Sequence, residues 1–129
     1  AHMNLPALVL SVFVLVLGGC ASTETVREAE GQGETRVYQK AFEPVFDATL
    51  RAAKSNNLVV VESDKATGRV ILSHGVTLWS WGERIAVFVK AKGSKSTEVE
   101  IVSKPVLAPL NFPPDWQTIL LDRIDSELR

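Results

Sequence analysis

Histidines, cysteines and carboxylates are the side chains from which most catalytic and metal sites are built. This chain is short of the first two: 129 residues hold two histidines and one cysteine. His2 lies at the extreme N-terminus, so His74 is the imidazole open to the region after Cys20. A structural zinc site takes four N or S ligands and a catalytic one three protein ligands, so no metal is expected. A Ser-His-Asp triad would have to use His74. That residue sits beside Gly75 with no nucleophile-elbow motif near it, and reads as a solvated or hydrogen-bonded strand-end histidine. No glycine loop of the phosphate-binding or dinucleotide type is present. Paired carboxylates remain, since glycoside hydrolysis needs two of them about 5–10 Å apart. Glu62, Asp64 and Glu83 flank turns, where acids are ordinarily surface groups. The reading is therefore not an enzyme, and no cofactor is expected.

Recognition has better material. In extended chain, residues two apart share a face, so Trp79 and Trp81 of Trp79-Ser80-Trp81 can present two indoles side by side. Such a platform stacks on sugars or anchors a protein. The competing reading packs them under the final helix, with Trp116 closing the cluster. The stretch from Pro105 to Pro114 holds four prolines and cannot be regular structure. Its Leu107, Leu110 and Phe112 either form an exposed apolar patch that marks a binding site or fold back as a lid on the core. Together, Trp79, Trp81, Leu107, Leu110, Phe112 and Trp116 are the candidate recognition surface.

Cys20 is the remaining reactive group. Leu8 to Leu17 is an apolar run followed by Gly18 and Gly19, the order of a secretory signal core and its small-residue cleavage site. The run is shorter than the roughly 20 residues that span a bilayer as a helix. Ala1-His2-Met3 reads as a vector-derived remnant, and no Lys or Arg precedes Cys20. Leu17-Gly18-Gly19-Cys20 resembles the lipobox of bacterial lipoproteins. The resemblance implies cleavage before Cys20, a diacylglycerol thioether on its sulfur and an acylated new N-terminus, hence a membrane partner. One chain binds a membrane only marginally and stable anchoring takes two signals; a triacylated cysteine exceeds that threshold. Ala21 and Ser22 follow, with no Asp at the second position, which by the same resemblance implies the outer membrane, with the domain in the periplasm.

The rest of the composition narrows the partners. Fourteen basic and fifteen acidic residues give a net charge of −1. That argues against nucleic acid, which demands a basic face, and against a polybasic grip on anionic lipid. A lone cysteine allows no intrachain disulfide.

These features need a scaffold. Residues 1–19 are expected to be remnant plus signal, and 20–34 a flexible tether. Ala21 to Glu34 is polar and acidic, with little apolar surface to offset ordering entropy. Residues 35–129 are expected to be one domain. Thr35–Lys40 reads as a strand. Phe42, Glu43 and Pro44 read as staple, cap and first helical residue, before an apolar face of Val45, Phe46, Thr49, Leu50 and Ala53. Strands follow at Leu58–Glu62, Arg69–His74, Glu83–Lys92 and Thr97–Lys104, by their alternation and turn residues. On the third of these, Ile85, Val87 and Val89 share one face and Ala86 and Phe88 the other. Val99 and Ile101 are read as inward, Glu98 and Glu100 as outward. Asp115 caps a last helix whose apolar face is Trp116, Ile119, Leu120, Ile124 and Leu128.

The order β-α-β-β-β-β-α predicts an α+β two-layer sandwich, an antiparallel sheet with both helices on one face. It resembles the TBP-like, helix-grip architecture, which occurs in BamC-type domains of outer-membrane assembly lipoproteins. Trp79-Ser80-Trp81-Gly82-Glu83 with Asp115-Trp116 is also similar to stretches of small proteobacterial lipoproteins, a resemblance that names no activity. The function expected is a membrane-tethered module that binds or scaffolds an envelope protein. The alternative is a carrier or sensor of a small apolar or glycan ligand, held in a sheet–helix cleft that Ala48, Ala52 and Ala53 would leave open.

Overall fold

The computed structural model describes residues 22–75, 82–107 and 112–129. Cys20, Trp79, Trp81 and Leu110 lie outside the described residues. The elements are α1 (Thr23–Arg27), β1 (Glu34–Tyr38), α2 (Phe42–Ser55), β2 (Val59–Asp64), β3 (Arg69–His74), β4 (Glu83–Gly93), β5 (Ser96–Pro105) and α3 (Trp116–Glu127). The five strands form one antiparallel sheet in the order β1-β5-β4-β3-β2. This is the α+β sandwich the pattern predicts, with one short helix added at the front.

Helices α2 and α3 cover the inner face. Phe46, Leu72, Ile85, Ile101, Leu120, Leu121 and Ile124 are buried between the layers. Ala48, Ala52 and Ala53 are buried in the same cluster and bring α2 close to its neighbours. Helix α2 starts two residues earlier than Glu43 and Pro44 suggest. Its N-cap is Ala41, which offers no side-chain cap, and Pro44 is the third helical residue, still within the first turn where its missing N–H costs nothing. Phe42 stacks on Phe46 at 5.7 Å between ring centres. At the other end, Asn57 adopts a left-handed φ of 57°. Its N–H donates to Lys54 and that of Leu58 to Ala53, the doubly bonded helix stop of a Schellman motif. Helix α3 is capped as expected, the Asp115 carboxylate accepting from Thr118 N–H at 3.2 Å.

The outer face corrects two expectations. Residues 22–33 are not a free tether: α1 and the turn after it lie on the sheet. Val26 and Ala29 are buried with Ile71, Ala86, Phe88 and Val102 in a second apolar cluster. Glu100, expected to face water, is buried beneath this segment. Its carboxylate accepts from Gly31 N–H at 2.8 and 3.0 Å and from Gly33 N–H at 2.9 Å. Arg27 reaches Glu62 at 3.3 Å. Only two apolar side chains come from the segment itself. The remainder of its docking is polar and is supplied by strands far along the chain.

Candidate functional site

The two stretches singled out for recognition are the connections β3–β4 (residues 75–82) and β5–α3 (residues 106–115). The sheet brings both to one end. His74 and Glu83, the last residue of β3 and the first of β4, stand opposite each other, and Glu83 stands opposite Pro105 at the end of β5. Val106 N–H donates to the Gly82 carbonyl at 2.9 Å and ties the two connections together. Gly82 has a φ of 98°, and a Cβ there would lie 2.8 Å from the His74 carbonyl, so a larger residue would push the β3–β4 connection off its exit path.

Beneath this end lies a polar cluster. The Glu83 side chain is 0% exposed. One carboxylate oxygen, Oε1, accepts from the Trp116 indole N–H at 2.8 Å and from His74 Nδ1 at 3.1 Å. The imidazole and indole rings meet edge-on at 4.9 Å. A buried carboxylate is tolerated only with partners of this kind. Here they fix the N-terminus of α3 against the ends of β3 and β4.

The candidate residues divide accordingly. Trp116, expected on a recognition surface, is 5% exposed and belongs to the core; its ring fills the inner layer and its N–H serves Glu83. Leu107 and Phe112, on the β5–α3 connection, are 43% and 70% exposed. They do not form a lid over the core. His74 is the hydrogen-bonded strand-end residue its position suggests. Glu83 is not the surface acid expected of a turn. The His74–Glu83 pairing was missed, although two strands joined through residues 75–82 place residues 74 and 83 opposite by register alone.

The carboxylates that flank turns are each engaged by the fold. Glu62 accepts from Arg27 and Arg69. Asp64 accepts from the amides of Ala66 and Thr67, and the Thr67 side chain beside it holds its carboxyl below the usual range. Among the described residues no three His, Cys, Asp or Glu side chains are grouped to hold a metal ion. A cleft of about 320 Å³ opens at the far rim, lined by Tyr38, Gln39, Lys40, Asp125, Leu128 and Arg129. It is an open cleft of mixed polar and apolar lining at the rim, not a pocket enclosed between sheet and helices. Tyr38 at its base is buried, and burial pushes its hydroxyl up to about 12; it donates to the Leu121 carbonyl at 2.5 Å.

No described helix is long and apolar enough to cross a membrane. The chain matches no protein-family model, and no curated protein matches it significantly.

Proposed function

We propose that this is a lipid-anchored binding module of the bacterial envelope, tethered through Cys20 and recognising a protein partner through the loop end of its sheet. The supporting observation is the convergence at that end. Two connections, one carrying Trp79 and Trp81 and the other Leu107 and Phe112, are fastened to each other and to a rigid support of Glu83, His74 and Trp116. Large apolar groups that stay exposed on a well-packed domain are typical of recognition sites, and loops held by a rigid scaffold are where such sites concentrate. Anchorage rests on the lipobox-like Leu17-Gly18-Gly19-Cys20. Ala21 and Ser22 after it favour the outer membrane, with the domain in the periplasm.

The test is photo-crosslinking in bacteria that export the full chain. A photoreactive residue at Phe112 or Leu107 is compared with one at Lys54 on α2. The proposal expects one discrete crosslinked species from the loop-end positions and none from Lys54. Equal, diffuse crosslinking from all three positions would contradict it.

A further inference from the structure

Two adjacent rows of the outer sheet face differ in character. The row Ile71, Ala86, Val102 is apolar and lies under α1. The next row toward the loop end reads Val59, Ser73, Arg84, Lys104, each directly opposite its neighbour. Arg84 and Lys104 are therefore like charges facing each other across two strands, which costs stability. All fifteen acidic residues of the chain fall within the described residues, and none forms an ion pair with either cation. The neighbouring cations of this face are neutralised, Arg69 by Glu62 and Lys90 by Glu30. Arg84 instead donates to Ser73 Oγ at 2.9 Å, and Lys104 to Gln32 Oε1 at 3.2 Å. Both cations remain partly exposed.

We propose that Arg84 and Lys104, with Ser73, bind the phosphate of an anionic lipid headgroup. A guanidinium presents a planar fork that matches phosphate oxygens, and an ammonium adds a point charge. The Ser73 hydroxyl accepts from Arg84 and keeps its own proton to donate. Position assigns the phosphate to a lipid. Helix α1 packs on the adjacent row, and its N-cap, Ser22, follows Cys20 by two residues, a span of at most about 7 Å of chain. The inference rests on the proposed acylation of Cys20, which brings a bilayer to this face. Val59, 63% exposed at the end of the row, adds an apolar contact. A chain of net charge −1 suits a local two-cation contact better than a diffuse basic surface.

The test uses the full chain as Cys20→Ser, so that the outcome does not depend on acylation. Its partition onto phosphatidylglycerol and phosphatidylcholine vesicles is compared with that of the same chain carrying Arg84→Gln and Lys104→Gln, and of one carrying Lys54→Gln on α2. The apolar N-terminal stretch is common to all three, so the ratios isolate the substitutions. About 1 kcal/mol per cation near an anionic surface predicts roughly 30-fold weaker partition for the double variant on phosphatidylglycerol. Lys54→Gln should change it less than about 3-fold, by the same electrostatics, and phosphatidylcholine should show little difference. Melting of the double variant no lower than that of the parent excludes a folding defect. Equal partition of parent and double variant overturns the proposal, as does an equal loss from Lys54→Gln. So does inorganic phosphate perturbing the Arg84 and Lys104 NMR signals without any vesicle difference. The acyl mass of exported protein is read separately, so failure of the anchor and failure of this site remain distinguishable.

Discussion

Substituting Glu100 by Ala tests whether residues 22–33 are docked or free. In the structure, three N–H···O contacts from two amides, Gly31 and Gly33, end on this one buried carboxylate. Hydrogen bonds to charged groups contribute about 1.5–3 kcal/mol each. Taking the lower figure for each of the two amides, the docked segment loses about 3 kcal/mol relative to its opened state. That corresponds to roughly a hundredfold rise in the local opening constant, at about 1.4 kcal/mol per factor of ten. The assay is native-state hydrogen exchange read residue by residue. In the parent, the amides of Val26, Gly31 and Gly33 should be protected. In Glu100→Ala they should exchange about a hundredfold faster, while Val87 and Ile101 in the central strands should change far less, because local and global opening are separate events. Unprotected exchange of residues 22–33 in the parent, or identical rates in both proteins, would refute the docked segment and restore a free tether.

Three other outcomes follow from the same geometry. Tyr38 carries its proton more tightly in the fold, near 12 against an ordinary value near 10. The stability it contributes is therefore complete below about pH 10 and is lost between pH 10 and 12, by about 2–3 kcal/mol; urea titrations of the parent should show this alkaline loss and those of Tyr38→Phe should not. In a double-mutant cycle, Glu83→Ala and Trp116→Phe should couple by about 1–2 kcal/mol, because each removes one partner of a buried hydrogen bond; additivity within about 0.5 kcal/mol would mean that the bond contributes nothing. Gly68 has a φ of 73°, and a Cβ there would meet the Val89 carbonyl at 2.1 Å, so Gly68→Ala should cost more than the roughly 1 kcal/mol of an ordinary left-handed alanine, measured by thermal melting.

The sheet and its two inner helices were legible because their signals are local. Alternation along β4 and β5, the turn at Ser63–Gly68, and the Asp115 cap each lie within a few residues of the structure they specify. The outer cluster was not read, although its signal was present. Ala86 and Phe88 make β4 apolar on both faces, and a strand of that kind is covered on both. The covering segment is hard to recognise because Val26 and Ala29 are its only buried side chains, and the rest of its hold is polar and distant in sequence: Glu100, some seventy residues away, with Glu62, Lys90 and Lys104. Glu83 was misplaced for a related reason. An acid next to Gly82 resembles a turn residue until β4 pairs with β3 and β5. Trp116 was read both on the apolar face of the last helix and on the recognition surface, and its buried N–H partner, Glu83, decides for the core. The two connections stood out in the sequence by their tryptophans and prolines, but that the sheet brings their described ends together depends on strand order.

The central claim is anchorage through Cys20, and intact mass spectrometry of the full chain exported by a bacterium tests it most directly, with Cys20→Ser beside it. The account predicts a mature chain beginning at Cys20 and heavier by its acyl groups, and a variant that carries none. A parent chain that keeps residues 1–19 and shows no acyl mass would contradict it.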